Sequence, residues 1–189
     1  MSTPKDEERP SQIGLLACEH GETAVAPLPK WYLGVDPGLN RTGYALLERL
    51  PQGPVLREGG VIRSVKHHSL AKRVHTIGSG LREVFDEFHP DFMAVEQVFS
   101  LIRNPKSALL MAHARGGILL VAMDYNVPVV HYTPTQIKRL LTGSGKASKK
   151  QIQRVVANEL GLDRLLEPHD VADASAIALC HYYSRDIAA

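Results

Sequence analysis

The period of the apolar residues changes once along this chain, near residue 69, and that change limits the folds available to it. Before it, from Trp31 to Val65, three short apolar segments are separated by turn residues, which is typical of an antiparallel meander. After it, apolar residues at helical spacing alternate with short apolar segments. Three adjacent strands followed by alternating helices and strands predict an α/β fold, with a five-stranded mixed sheet flanked by helices.

This pattern predicts ten elements. The predicted strands are Trp31 to Val35, Gly43 to Leu50, Val55 to Val65, Phe92 to Val95 and Pro128 to Tyr132. The predicted helices are Ser69 to Phe88, Ser107 to Tyr125, Gln136 to Leu141, Lys149 to Leu160 and Val171 to Tyr183. Ser69 is a suitable N-cap, and Gly59 with Gly60 predicts a β-bulge in the third strand.

The composition indicates one globular domain with a tail at each end. A chain of 189 residues with 44% apolar residues is long enough to bury a stable core. Residues 1–30 combine four prolines with mixed charges, which predicts a disordered extension before a domain at 31–185 and a tail at 186–189. No uninterrupted apolar run approaches the ~18 residues of a membrane span. Two distant cysteines, Cys18 and Cys180, favour the reducing cytoplasm over a disulfide scaffold.

Four acidic residues lie where this fold would bring them together. Asp36 follows the first predicted strand and Glu96 the fourth, and parallel neighbouring strands have their carboxyl ends on one side of a sheet. Asp170 and Asp173 are three residues apart at a helix start, so they share a face. A single Asp at such a place is more often a turn former or a cap. Four converging carboxylates repel one another, whereas Mg²⁺ or Mn²⁺ offsets the repulsion, which favours a metal site.

The small net charge of +2 conceals a strong segregation of charge. Between Gln97 and Asn158 there are nine lysines and arginines and a single acid, Asp124, so that segment carries +8 and the rest of the chain −6. An isolated basic cluster is more often a solvated helix face. Beside a metal site, a basic face suits a polyanion, because neutralised phosphates release counterions. The combination favours phosphodiester hydrolysis with two metal ions, one activating water and one stabilising the leaving oxygen.

Four groups of residues, in order and with matching spacing, make the chain similar to a known family. They are Leu33-Gly34-Val35-Asp36-Pro37-Gly38 with Thr42-Gly43-Tyr44, Ala94-Val95-Glu96-Gln97-Val98-Phe99, Gln136-Ile137-Lys138 leading to Gly143-Ser144-Gly145-Lys146, and Asp170-Val171-Ala172-Asp173-Ala174. From about Trp31 to Tyr183 the chain resembles the RuvC family of bacterial Holliday junction resolvases. The resemblance implies an RNase H-like fold, a homodimer, and Mg²⁺-dependent paired nicks placed symmetrically across a four-way DNA junction.

The resemblance also implies roles for individual residues. Asp36, Glu96, Asp170 and Asp173 match the catalytic, metal-binding acids of the family, with Asp36 between two ions of Mg²⁺ or Mn²⁺. Some members carry a histidine at the position of Asp170, and His169 here is a candidate neighbour of the metal ligands or a general acid, although a lone histidine is more often structural. The family acts in DNA recombination and repair beside the RuvA and RuvB branch-migration proteins, which are the implied partners.

Five further residues are candidate DNA contacts. They are Phe99, Lys138, Lys146, Lys149 and Lys150. By resemblance Phe99 stacks on a base at the opened junction centre, while by sequence alone an edge of the core explains it equally well. Lys138 and Lys146 match basic positions of the family. Lys149 and Lys150 suit backbone phosphates and are also explained as solvated surface.

The predicted helix from Ser107 to Tyr125 is apolar over more of its circumference than one core face requires. Its large apolar residues are Leu109, Leu110, Met111, Ile118, Leu119, Val121 and Met123. Complete burial explains this pattern without a partner, and the seam of a two-fold dimer explains it equally well. Gly116 and Gly117 would let another helix approach closely. The resemblance favours the dimer.

Three other functions share parts of these patterns. ATPases of the actin and sugar-kinase superfamily also begin with a Gly-x-Asp-x-Gly strand end, as Gly34 to Gly38 does, but they need two such domains and a much longer chain. A catalytically inactive junction-binding protein of the same fold would be expected to lack one of the acids. An RNase H-like nuclease acting on RNA would keep them, and the residues from Gln97 to Phe99 and from Lys138 to Lys146 favour the junction over RNA.

Overall fold

The computed structural model describes residues 30–97 and 105–186, and its elements follow the predicted order. The strands are β1 (Trp31–Asp36), β2 (Arg41–Leu50), β3 (Gly53–Arg63), β4 (Phe92–Glu96) and β5 (Val129–Tyr132). The helices are α1 (Leu70–Phe88), α2 (Pro105–Asp124), α3 (Pro134–Thr142), α4 (Lys149–Glu159) and α5 (His169–Asp186). Most of the two predicted tails falls outside the described residues, so the division into domain and tails stays a prediction.

The five strands form one mixed sheet in the order β3-β2-β1-β4-β5. β2 pairs antiparallel with β1 and with β3, whereas β4 is parallel to both β1 and β5. α1 lies in the connection from the meander to β4, and α2 in the connection from β4 to β5, because parallel neighbours need a long crossover. The predicted five-stranded mixed sheet with flanking helices is confirmed.

Helices cover both faces of the sheet, and the alternation of side chains along the central strands decides which helices pack on which face. Leu33 and Val35 of β1 and Met93 of β4 are buried in one core with α1 and α2. Tyr32 of β1 and Ala94 of β4 are buried in a second core with α3, α4 and α5. The sheet therefore lies between two helical layers, each with its own apolar core.

Polar side chains begin three of the helices. Ser69 caps α1 through its hydroxyl, as predicted. α3 and α4 each begin with a capping box, formed by Thr133 with Gln136 and by Ser148 with Gln151. α3 therefore begins two residues before the predicted start, since Gln136 is the third residue of the helix and not the first.

The predicted bulge at Gly59 and Gly60 is wrong. The register between β2 and β3 shifts at Arg57, which is the extra residue of the bulge, and both glycines keep regular partners in β2. Their missing side chains make room for neighbours instead. A Cβ on Gly59 would lie 2.7 Å from the side chain of Val171, and one on Gly60 would lie 2.7 Å from the hydroxyl of Tyr44.

α2 contributes to the core and also leaves large apolar side chains in solvent. A Cβ on Gly117 would lie 2.7 Å from the side chain of Val74 in α1, so this glycine permits the predicted close approach of a helix. Gly116 has no atom within 4 Å of such a Cβ. The exposed large apolar side chains of α2 are Leu109, Leu120 and Met123. Burial in the core therefore explains only part of the apolar surface of this helix.

By length and composition alone, α2 could cross a membrane. Its best window has a mean hydropathy of 1.2, and 28% of that window is buried. His113 and Arg115 interrupt the apolar run, which is why the sequence contains no uninterrupted stretch of that length. A core helix of a globular domain meets the same criterion, and Ile118 and Val121 lie in the core with α1. The apolar character of α2 is therefore weak evidence for a membrane.

Candidate active site

Asp36 and Glu96 lie side by side at the ends of neighbouring parallel strands. Val35 pairs with Val95 in the register, so the next residue of each strand is one of the two acids. Since Val35 and Val95 are buried with α1 and α2, the alternation of side chains directs both acids to the opposite face, where α5 packs. Asp36 and Glu96 therefore lie on the same face of the sheet, at the ends of adjacent strands.

Two glycines let the start of α5 lie directly on this part of the sheet. A Cβ on Gly34 would lie 2.1 Å from the carbonyl oxygen of Ala174, and one on Gly43 would lie 2.3 Å from the carbonyl oxygen of Asp170. Any larger residue at either position would force the helix away from the sheet. Because Gly43 pairs with Asp36 in the β1–β2 ladder, the first turn of α5 is placed next to the strand acids.

Asp170 and Asp173, near the start of α5, each form an ion pair with a basic side chain. Oδ2 of Asp170 lies 2.5 Å from Nη2 of Arg41, and Oδ2 of Asp173 lies 2.6 Å from Nζ of Lys149. The helix acids therefore have cationic partners within the protein.

The strand acids, in contrast, resist ionisation. Burial raises the pKa of Asp36 to about 8, and the charges of Glu96, Asp173 and Asp170 add to this rise while Lys149 opposes it. Burial also raises the pKa of Glu96, with a further contribution from Asp173. The four carboxyl groups thus interact electrostatically, and the basic side chains around them do not balance the charge at Asp36 and Glu96.

The four acids have the chemistry of a divalent-cation site, but their present side-chain conformations do not converge on one ion. Among the described residues, no three histidine, cysteine, aspartate or glutamate side chains converge tightly enough to hold one ion. The ion pairs explain this, because Arg41 and Lys149 engage the carboxylates of Asp170 and Asp173. An all-oxygen set that contains two buried, mutually repelling carboxyl groups is what Mg²⁺ or Mn²⁺ prefers, and such an ion would relieve the repulsion.

A cleft of about 290 Å³ opens beside the acids. Glu96 and Asp173 line it together with Lys138 of α3 and Lys149 of α4. The charges of both lysines lower the pKa of Glu96, against the larger effect of burial. The rest of the lining is apolar and consists mainly of Pro134, Ile137, Ile152, Ala176 and Ile177. Two of the four predicted lysines thus border the acids directly.

The other predicted DNA contacts lie elsewhere or outside the described part of the chain. Lys146 is exposed in the turn before α4, and Lys150 is exposed in the first turn of α4. Neither residue lines the cleft beside the acids. Phe99 lies outside the described residues, so its predicted stacking on a base stays a prediction.

His169 begins α5, and its described contacts are with α4 and the preceding loop. Its Nδ1 lies 3.0 Å from Nε2 of Gln153 and 3.4 Å from Oε1 of Glu167. These contacts favour a structural role in joining α5 to α4 over the predicted role beside the metal ligands, which stays a prediction.

Sequence reasoning missed Arg41 and underestimated Lys149. Arg41 begins β2, the strand paired with the one that carries Asp36, and this position was the available signal. Lys149 was predicted as a phosphate contact or solvated surface, whereas its ammonium group contacts Asp173 within the candidate site.

Comparison with known proteins gives consistent matches over most of the chain. The family model described as Crossover junction endodeoxyribonuclease RuvC matches residues 32–181. A relative of that name from Rhodopirellula baltica is 51% identical over 153 residues, which cover 80% of this chain and 85% of the relative. One from Geobacter sulfurreducens is 40% identical over 149 residues, covering 79% and 90% of the two chains. A solved structure of Thermus thermophilus RuvC in complex with Holliday junction substrate has a TM-score of 0.79 and 31% identity, and covers 84% of this chain and 96% of that one.

Proposed function

The chain belongs to the RuvC family of crossover junction endodeoxyribonucleases, and on that premise we propose that it cuts four-way DNA junctions at the site formed by Asp36, Glu96, Asp170 and Asp173. The predicted RNase H-like fold and the predicted class of DNA endonuclease, acting in recombination and repair, are confirmed by this membership. The family is metal-dependent, so a metal requirement follows as well.

The observation that carries the assignment of the site is the adjacency of Asp36 and Glu96 on buried strand ends. Two adjacent carboxyl groups whose ionisation is opposed by burial and by neighbouring acids are unfavourable for stability, which makes a role in function the better explanation. We infer that all four acids bind divalent ions, two per site, with Mg²⁺ as the resident metal and Mn²⁺ as a substitute. Bound ions supply activation of water and stabilisation of the leaving oxygen.

The chain's own residues then have defined tasks. Burial raises the pKa of Asp36 to about 8, so this group must lose its proton before it can bind a cation, and we expect metal binding to be accompanied by proton release. Lys138 and Lys149 border the cleft beside these acids and would hold phosphates of the strand to be cut. Lys146 and Lys150, which are exposed, would contact the DNA backbone outside the cleft. The stacking of Phe99 on a base, which the family implies, stays a prediction. A role of His169 beside the metal ligands also stays a prediction, and its contacts with Gln153 and Glu167 favour a structural role instead.

The exposed apolar face of α2 supports a homodimer. Two active sites related by a two-fold axis match the symmetry of a four-way junction, and paired nicks need both. We expect Leu120→Glu to give a monomer in sedimentation experiments, because a charge in an apolar seam opposes association. Val65→Glu, which replaces another exposed apolar residue outside α2, is the control. Equal masses for Leu120→Glu and the unmodified protein would exclude α2 from the dimer seam.

The implied association with RuvA and RuvB stays a prediction, as does the cytoplasmic location.

The proposed activity is tested with a synthetic four-way junction. The purified protein with Mg²⁺ is expected to make paired nicks at symmetric positions, and none with a chelator present. A linear duplex and an RNA–DNA hybrid of the same sequence are the controls, and neither should be cut at a comparable rate. Equal cutting of all three substrates would contradict the junction specificity. Cutting that continues in the chelator would contradict the metal site.

A further inference from the structure

Arg41 links the beginning of β2 to the first turn of α5. Its Nη2 lies 2.5 Å from Oδ2 of Asp170, although the two residues are 129 positions apart in the chain. The Arg41 side chain is 46% exposed and the Asp170 side chain 23%. An ion pair with this exposure adds little to the stability of a fold. The stability of the domain therefore does not explain an arginine at this place.

The backbone that carries Arg41 is held in place by contacts with α1. Arg73 of α1 donates from Nε to Oγ of Ser64 at 3.0 Å and from Nη2 to Oδ1 of Asn40. The hydroxyl of Thr42 donates to a carbonyl across the β1–β2 turn at 2.9 Å. The backbone on both sides of Arg41 is therefore fixed, and the half-exposed side chain is the part that can change its position.

A cleft beside Arg41 offers its side chain a second position. A cleft of about 220 Å³ lies between the β1–β2 turn and the start of α2, and Arg41 lines it. The other lining residues are Gly38, Leu39, Asn40, Ser107, Leu110 and Met111, none of which is acidic. In the described part of the chain, the Arg41 side chain thus contacts a carboxylate, while Arg41 also lines a cleft with no acidic residue in its lining.

We propose that Arg41 is a positioning residue that pairs with Asp170 in the metal-free protein, leaves it when a divalent cation binds, and then contacts a phosphate of the junction. The inference rests on the proposed function, because it takes Asp170 as a metal ligand. A guanidinium group and a divalent cation held by the same carboxylate repel each other, so binding of the cation favours release of the guanidinium. Once released, the planar guanidinium is suited to two parallel hydrogen bonds to phosphate oxygens.

Metal binding to the full chain, measured by calorimetry with Mn²⁺ alone, gives the first test. Arg41→Ala is expected to bind Mn²⁺ about threefold to tenfold more tightly, because a competing cation is removed from a partly exposed site. Asp170→Asn is expected to bind Mn²⁺ more weakly, and adding Arg41→Ala to it should change nothing further. Unchanged or weaker binding by Arg41→Ala, together with weaker binding by Asp170→Asn, would overturn this inference and leave the metal site intact. No effect of Asp170→Asn would overturn both.

The salt dependence of junction binding, compared with and without metal, gives the second test. With Ca²⁺ present, Arg41→Ala is expected to lower the slope of log affinity against log salt by about 0.9, the value for one phosphate contact. In a chelator the slope should match that of the unmodified protein, since Arg41 is then paired with Asp170. Arg63→Ala, at the cross-strand neighbour of Arg41, is the matched control and should show no difference between the two conditions. A loss of slope that is equal with and without metal would overturn the proposed release.

Discussion

The two pairs of acids in the proposed active site differ in how their charge is balanced. Asp36 and Glu96 end buried strands, and burial with mutual repulsion raises the pKa of each carboxyl group. Asp170 and Asp173 lie at the start of a helix, and each contacts a basic side chain. The strand pair, Asp36 and Glu96, therefore needs an added cation to balance its negative charge. The negative charge of the helix pair, Asp170 and Asp173, is already balanced by basic side chains of the protein. On the proposed assignment, a bound cation would relieve the repulsion in the strand pair and would compete with Arg41 and Lys149 for the helix pair.

Asp36→Asn, which changes one acid of the strand pair, is expected to have the largest effect on junction cleavage. Loss of a partner that only orients a metal ligand typically costs 10- to 100-fold in activity, so loss of the ligand itself should lower junction cleavage by at least about 100-fold. The same change replaces a buried group whose pKa is raised to about 8 by a neutral amide, so the metal-free protein should become more stable toward urea near neutral pH. Asp163→Asn, at an exposed loop position, is the control for the loss of one charge. Normal cleavage by Asp36→Asn would contradict the assignment.

Lys149→Ala tests the contact between a basic side chain and one acid of the helix pair. Because Lys149 contacts Asp173 and borders the cleft, we expect junction cleavage to fall about 10- to 100-fold, as for other groups that contact metal ligands. Lys150→Ala changes the adjacent, exposed lysine and should lower cleavage no more than about fivefold, the value of a surface charge. Equal losses in single-turnover rates for the two variants would show that Lys149 acts only as part of the basic face.

Gly43→Ala tests whether close packing places the helix pair beside the strand pair. The added Cβ would lie 2.3 Å from the carbonyl oxygen of Asp170, a backbone atom that cannot move without moving α5. We expect the free energy of unfolding to fall by about 1–3 kcal/mol. Gly116→Ala is the matched control, since its Cβ would meet nothing within 4 Å and alanine favours a helix by up to about 1 kcal/mol. Urea unfolding of the two variants measures both changes, and equal stabilities would exclude the steric explanation.

The pH dependence of stability should distinguish the two pairs. The folded protein holds a proton on Asp36 up to a pKa of about 8, whereas the unfolded chain releases it near 3.8. Between these values the folded state binds more protons, so the metal-free protein should lose stability as the pH rises from about 4 to about 8, by at most about 1.4 kcal/mol per pH unit for one group. Asp36→Asn should remove most of that slope in urea titrations with a chelator. A slope that persists in the variant would assign it to other groups.

Local signals predicted the elements well because the residues that decide them are close in sequence. Ser69 caps α1 as expected, and the change of period placed every strand and helix of the described chain. The bulge was placed wrongly at Gly59 and Gly60, since a glycine pair looks the same whether it bends a strand or makes room for a neighbour. At Gly59 the neighbour that needs this room is Val171, more than 100 residues away, which no local pattern contains.

The sequence by itself determined the sheet, the helices, the basic segment and the identity of the four acids, because period, capping and residue type are local properties. Only the tertiary structure decided how those acids are balanced. Side chains alternate between the two faces of a sheet, and the pairing of β1 with β4 places Asp36 and Glu96 on the same face. Close packing at Gly34 and Gly43 brings α5 against them. The pairing of Arg41 with Asp170 joins residues 129 positions apart, and such contacts exist only once the packing of sheet and helix has fixed the distance between them.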